Sequence, residues 1–275
     1  MNKFNRIISK SKWLKEQIFK MAMKSPTGQG HIASALSQSD VCATLFYGGF
    51  LKYKKNYPNY DKRDICIVSK GHSAMGLYPI YADLGYFNKK ELLKFGHADG
   101  KLRIYADRSI PGVEATSGSL SQAPGIAAGI CYSNRFRKKK NKCYVIIGDG
   151  EHYEGSLWET ALFASHYKLD NLTIIVDRNK QIILGKTEKL LKLEPLGEKW
   201  SSFGWDVQNI NGHSIPEIYS SLKKSQKLNN KPKLIIANTI KGKGVSFMED
   251  VTRWHNSFPN NEEATIALEE LKYEN

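Results

Sequence analysis

A chain of 275 residues with 41% hydrophobic and 25% charged side chains is long enough for one large domain or two small ones, and its ordinary globular balance excludes a disordered or low-complexity protein. The formal charge of +14 would suit nucleic acid, a membrane surface or anionic metabolites, but the basic residues are scattered, are mostly lysine and form no cluster interleaved with aromatics, so nucleic acid is not expected. Four cysteines without a C-x-x-C pair read as small buried hydrophobes of a reducing compartment, and neither a signal peptide nor a membrane-length apolar run stands out, so a cytoplasmic location away from the membrane is expected.

In chain order, residues 4–24 place Phe4, Ile7, Ile8, Trp13, Leu14, Ile18, Phe19 and Met23 at spacings of mostly three and four, which predicts an amphipathic helix. Ser25-Pro-Thr-Gly-Gln-Gly30 breaks it, and a second helix begins near His31 and runs through Leu45. A short buried strand, Asp64–Val68, ends in Ser69-Lys-Gly-His72 and is followed by a helix from Met75 to Leu84. Residues 96–119 read as loop, and 121–134 as a small-residue helix whose basic end, Arg135-Phe-Arg-Lys-Lys-Lys140, is solvated and suits the helix dipole.

Then comes a pair of apolar, β-branched runs that each stop at a polar turn. Tyr144-Val-Ile-Ile147 ends in Gly148-Asp-Gly150, and Leu172-Thr-Ile-Ile-Val176 ends in Asp177-Arg-Asn179. The twenty-eight residues between Gly150 and Asn179 (151–178) hold one crossover helix, 156–167. A loop past Pro195, a helix near 196–203, a strand over 204–210, a helix over 215–228, a strand over 233–238 and a helical tail from Glu262 complete the pattern. Strands alternating with helices predict an α/β fold, a three-layer sandwich with a mostly parallel central sheet, and one domain over 1–275.

Ligands of such sheets bind beyond the carboxyl ends of the strands. Asp149 and Asn179 offer hard oxygens there, as magnesium prefers when phosphate and water complete its shell, and Gly150 lets the backbone approach a phosphate. Either turn alone could be a helix-capping aspartate or an asparagine tolerating a left-handed backbone. The two together at this spacing favour a metal-bound diphosphate.

With these turns the chain resembles the thiamine diphosphate-binding superfamily, and within it the amino-terminal portion of transketolase over nearly the whole length. The resemblance is carried by Gly30-His-Ile-Ala-Ser34, Ser69-Lys-Gly-His72, Pro111-Gly-Val-Glu-Ala-Thr-Ser-Gly-Ser-Leu120, Gly148-Asp-Gly-Glu151 with Glu154-Gly155, Asp177-Arg-Asn179, and Lys241-Gly-Lys-Gly244 with Trp254-His255. It implies that Asp149, Asn179 and the carbonyl of Gln181 hold Mg2+ (Ca2+ or Mn2+ able to substitute), that Gly150 contacts the diphosphate of thiamine diphosphate, and that Gly118, Ser119, Leu120, Ser34, His72 and Lys241 line the cofactor. It also implies that His31, His72 and His255 are catalytic, with His31 and His255 facing the sugar and His255 also near the cofactor, and that Glu154 is a buried interface glutamate. The remaining histidines, His97, His152, His166 and His213, read as surface or core residues.

Two departures from the family pattern concern the pocket. Ser121-Gln-Ala-Pro124 replaces a Gly-Gln-Gly, and Tyr105 takes the place of a histidine that would face the substrate, with His97 as a substitute from the same loop. The family's pyrimidine-binding domain has no counterpart in these 275 residues. The resemblance therefore implies a split transketolase moving a two-carbon ketol unit between sugars or sugar phosphates, completed by a separate carboxy-terminal subunit, with two copies of each chain. The competing readings are a related thiamine enzyme acting on an unusual sugar of surface polysaccharide, and a non-catalytic cofactor-binding subunit.

Overall fold

The computed structural model describes residues 2–273 except 27 and 29. Thr27 and Gln29, within the expected helix breaker, therefore lie outside the described residues. The elements are α1 (Lys3–Ala22), α2 (Ile32–Ser37), α3 (Ser39–Tyr47), β1 (Ile65–Val68), α4 (Tyr78–Asp83), α5 (Gln122–Phe136), β2 (Cys143–Gly148), α6 (Gly155–His166), β3 (Leu172–Arg178), β4 (Gln181–Ile182), β5 (Gly185–Lys186), α7 (Thr187–Leu190), α8 (Leu196–Ser202), β6 (Asp206–Asn211), α9 (Ile215–Ser225), β7 (Lys233–Asn238) and α10 (Asn261–Tyr273). Among the described residues β1-β2-β3-β7-β6 form one sheet in that order, every pair parallel, and β4 and β5 form a separate antiparallel hairpin.

Alternation along the strands sorts side chains to two faces. Tyr144, Ile146, Ile175, Ile235 and Ala237 pack with the apolar stripes of α1, α3, α4 and α9. Val145, Ile147, Ile174, Val176, Leu234 and Ile236 pack with α5, α6 and α8. Helices thus cover both faces, which is why β2 and β3 are mostly apolar and buried at every position, with Thr173, Asp177 and Arg178 the polar exceptions in β3. The three-layer α/β architecture expected from the sequence is the one observed.

The differences are local. The helix expected from His31 through Leu45 is two helices, because Gln38 at the junction turns its amide onto the Ser73 carbonyl at 2.9 Å and packs its Nε2 against Gly76. The helix expected over 75–84 begins as a 3-10 turn, Gly71–Gly76, before α4. The loop after Asn179 contains the β4–β5 hairpin and α7, whose two- to four-residue lengths leave no periodicity to read. All four cysteines are buried and free, and no described helix is long and apolar enough to cross a membrane.

Candidate active site

Four adjacent strands deliver the site. β1 ends at Ser69–His72, β2 at Asp149–Gly150, β3 at Asn179–Gln181 and β7 at Thr239–Lys241. They surround a cavity of about 350 Å³ lined by Lys70, His72, Asp149, Asn179, Lys241 and His255 among others. Two glycines make the convergence possible through space rather than backbone freedom. A Cβ on Gly71 would stand 1.9 Å from the Ser117 carbonyl oxygen, and one on Gly148 would press at 3.3 Å on the stem of Lys70. Residue 71 must be glycine for the 117–120 segment to close over the end of β1.

A buried ion pair anchors the floor. Lys70 Nζ bonds Asp177 Oδ2 and, at 3.1 Å, the Ser34 carbonyl. Asp177 also accepts from Ser37 Oγ at 2.6 Å and from Thr239 Oγ1. Burial alone would raise the Asp177 carboxyl, but Lys70 and these hydroxyls hold it below its ordinary value. Beside it, Asn179 Nδ2 donates to Asp177 Oδ2 at 3.3 Å, which orients the amide so that its Oδ1, accepting from Gln181 N at 3.1 Å, is the oxygen left for a ligand. Glu151, also buried, ties the strand ends together by accepting from Gly148 N at 2.8 Å, Ser121 N at 2.9 Å and Ser69 Oγ.

Three imidazoles form the opposite wall. His31 lies 4.6 Å from His72 and 5.5 Å from His255 between ring centroids, and His72 and His255 are 5.7 Å apart. Burial, then Lys241 and Lys70, lowers the His31 pKa to about 4. Burial, then Lys241 and His31, lowers that of His255 to about 3. His72 is held well below the ordinary range, first by burial and then by His31. All three are therefore neutral at pH 7. Lys241, lowered by burial and Lys70 to about 8, remains protonated there and donates to His255 Nδ1 at 2.5 Å. That bond fixes the His255 tautomer with its proton on Nε2.

Whether these residues fit a divalent cation is tested by what they leave open. Asp149 gives one oxygen to Arg178, and its other oxygen, Oδ2, is buried with no hydrogen-bond partner among the described residues. Burial raises its pKa to about 6 against the opposing Arg178. An orphaned buried carboxylate oxygen is costly and is the group a hard cation would occupy. Among the described residues no cluster of three or more His, Cys, Asp or Glu side chains could hold a metal. A cation at Asp149 must then draw on amide, carbonyl and ligand oxygens, which is the donor set Asn179 and Gln181 offer.

Of the residues singled out in the sequence, Ser34, His72, Tyr105, Gly118, Leu120, Asp149, Gly150, Glu154, Asn179, Gln181, Lys241 and His255 line this cavity. Ser119 is exposed and does not line it, and His31 reaches it through its ring contacts with His72 and His255. Glu154 is exposed in this chain. His97 bonds the Lys24 carbonyl at 2.9 Å and lies outside the lining, so Tyr105, 48% exposed, is the loop residue that faces the cavity. His152 packs between Trp158 and Trp200, and His213 bonds Asp40 at 2.7 Å. Lys70, Tyr153, Ile182 and Ile183 also line the cavity and were not expected there, although Lys70 lies inside the Ser69–His72 motif. A strand-end lysine between small polar neighbours carries no sign of burial. The hairpin that bears Ile182 and Ile183 could have been suspected from the Gly185 after an apolar triplet.

Residues 16–274 match the family described as transketolase, thiamine diphosphate binding domain. The chain is 39% identical over 272 residues to an apulose-4-phosphate transketolase subunit of Actinobacillus succinogenes, covering 98% of both. It is 38% identical over 248 residues to a 6-deoxy-6-sulfo-D-fructose transketolase subunit of Clostridium sp., covering 90% of both. Its fold matches transketolase from Campylobacter jejuni with a TM-score of 0.89 at 28% identity, over 99% of this chain and 43% of that one. It therefore spans nearly all of the two subunit relatives but less than half of the Campylobacter enzyme. By sequence and by fold, this chain belongs to the transketolase family, as the thiamine diphosphate-binding, amino-terminal part of that enzyme.

Proposed function

We propose that this chain is the amino-terminal subunit of a split transketolase, a single domain that holds the diphosphate end of thiamine diphosphate while a separate carboxy-terminal chain supplies the pyrimidine-binding domain, two copies of each forming a cytoplasmic enzyme. The observation that carries the reading is the meeting, at four neighbouring strand ends, of Asp149 Oδ2, unpartnered among the described residues, and Asn179 with the neutral His31–His72–His255 cluster. Asp149, Asn179 and the Gln181 carbonyl would hold Mg2+, which Ca2+ or Mn2+ could replace. Gly150, where a Cβ would already press on Ile182 at 3.2 Å, would leave room for the diphosphate. Ser34, Gly118, Leu120, His72 and Lys241 would lie along the cofactor, with Ser119 beside them.

When bound, thiamine diphosphate supplies the carbanion chemistry that cleaves and remakes the carbon–carbon bond. The chain's own part is proton handling and orientation. His255, its Nδ1 occupied by Lys241, offers Nε2–H to a sugar oxygen. Neutral His31 and His72 can take a proton from a hydroxyl and return it, because each is free of charge at pH 7. Tyr105 can hydrogen-bond the substrate but is a poor proton shuttle near neutrality. Relatives named for apulose-4-phosphate and 6-deoxy-6-sulfo-D-fructose support an unusual sugar, phosphorylated or sulfonated, as donor.

The test is to purify the chain, assay ketol transfer with and without the carboxy-terminal chain on a panel of phosphorylated and modified ketoses, and measure thiamine diphosphate binding by calorimetry. Transfer is expected only with both chains, and Asp149→Ala should abolish magnesium-dependent binding. Full transfer by the single chain would refute the split assembly. Binding without transfer on any ketose would favour the non-catalytic reading.

A further inference from the structure

Arg178 has no part in the chemistry above, yet it is among the most completely buried side chains of the molecule, with no exposed side-chain surface. It lies in β3 between Asp177 and Asn179, on the face opposite Asp177. Nη1 donates to Asp149 Oδ1 at 2.9 Å and to Thr187 Oγ1 at 3.1 Å. Nη2 donates to Glu188 Oε1 and to Glu194 Oε1, both at 2.8 Å, and Nε donates to Glu194 Oε1 at 3.3 Å. A guanidinium has five N–H groups in a rigid planar fork, and these five bonds use them all. Its two carboxylate anchors are themselves fixed, Glu188 by Leu193 N at 3.3 Å and Glu194 by Leu196 N at 2.8 Å.

This arrangement decides how Asp149 presents itself. A carboxylate held by nothing can rotate and offer either oxygen. Here Oδ1 is pinned, and the guanidinium has no donor left to swing onto Oδ2, which stays buried and, among the described residues, without a partner. We propose that Arg178 is a positioning residue for the divalent cation: it clamps Asp149 by one oxygen so that the other is presented to the metal, with Glu188 and Glu194 holding the clamp in place. The inference rests on Asp149 being a metal ligand, but nothing else in that reading requires Arg178.

Partners that orient a metal ligand typically change metal affinity by about ten- to a hundredfold when removed. The measurement is Mn2+ affinity, read from the electron paramagnetic resonance of free Mn2+, in the full chain with saturating thiamine diphosphate and the partner chain present. Arg178→Lys keeps the charge but loses the fork. The double substitution Glu188→Gln, Glu194→Gln leaves Asp149 and Arg178 untouched and loosens only the anchors. Circular dichroism of the metal-free chain identifies any variant that fails to fold, and either variant suffices if the other does. Both are expected to weaken Mn2+ binding at least tenfold, as is Asp149→Asn, with the fold intact. If Asp149→Asn weakens binding while every folded Arg178 or Glu188/Glu194 variant stays within twofold of the wild type, the clamp is refuted and the metal site stands. If the wild type binds no Mn2+, or Asp149→Asn binds as well as the wild type, the metal reading itself is wrong and the clamp falls with it.

Discussion

Lys70 and Asp177 show how much of the site is decided by single side chains. Each neutralises the other where both side chains are almost wholly buried, so removing one partner leaves a buried charge unpaired. Lys70→Met is expected to cost about 3–5 kcal/mol of stability by urea denaturation at pH 7, and Asp177→Asn added to it should recover part of the loss. A double variant no more stable than Lys70→Met would show that the pair is not the source. The histidines set a different dependence. Their folded pKa values, about 4 for His31, about 3 for His255 and well below normal for His72, lie under the unfolded value near 6.5. Between these limits the unfolded chain binds more protons, so stability rises with pH. Their contribution is complete above about pH 6.5 and is lost progressively as pH falls through the folded values, about 4 for His31 and about 3 for His255. Denaturation midpoints at pH 7, 5.5 and 4.5 should fall in that order, and His72→Gln should flatten the slope. That these histidines would come together was legible from the motifs that carry them, His31 beside Gly30, His72 in the turn after β1 and His255 after Trp254, read through the family resemblance. Lys70 and Arg178 were not, because only the tertiary fold shows which charged side chains lose access to water and which partners they meet.

At the scale of elements, the sequence was most informative where burial is symmetrical. The apolar runs of β2, β3 and β7 stand out because helices cover both faces, and their bounds fell within a residue or two of expectation. It was least informative where tertiary contacts override the local pattern. The α2–α3 junction is broken by the Gln38 side chain reaching residue 73, and the β4–β5 hairpin is held by contacts that no period records. The turn after β1 offers a test of close approach. Gly71→Ala places a methyl 1.9 Å from the Ser117 carbonyl oxygen, so either the Lys70–His72 turn or the 117–120 segment must move. A destabilisation of about 1–3 kcal/mol is expected, together with weaker thiamine diphosphate binding. Unchanged calorimetric affinity would mean the segment yields without disturbing the site.

For the molecule as a whole, cofactor and metal should act as a joint stabiliser, since in the proposed reading both would sit at the ends of four neighbouring strands of the five-stranded sheet. A ligand bound only by the folded state at a hundred times its dissociation constant adds about 2.7 kcal/mol. Thermal scans with thiamine diphosphate and Mg2+ together should show a gain of that order, and EDTA should remove most of it. A gain that persists in EDTA would show that the diphosphate is held without a metal, by Lys70 and Lys241 alone.

The alternation of β3 has one more consequence. Asp177 faces Lys70, and Arg178, the next residue, faces Asp149, Glu188 and Glu194. If β3 paired with β2 and β7 one residue out of step, the two would exchange faces. Slipped one way, Arg178 would take the place of Asp177 and meet Lys70; slipped the other way, Asp177 would take the place of Arg178 and meet carboxylates, so either slip confronts like charges on one side of the sheet. The apolar residues of β3 are Leu172, Ile174, Ile175 and Val176, similar enough in bulk to tolerate the wrong side. The two charges are not interchangeable. A strand aligned in the wrong frame would therefore meet like charge at the same place where the correct frame builds its site.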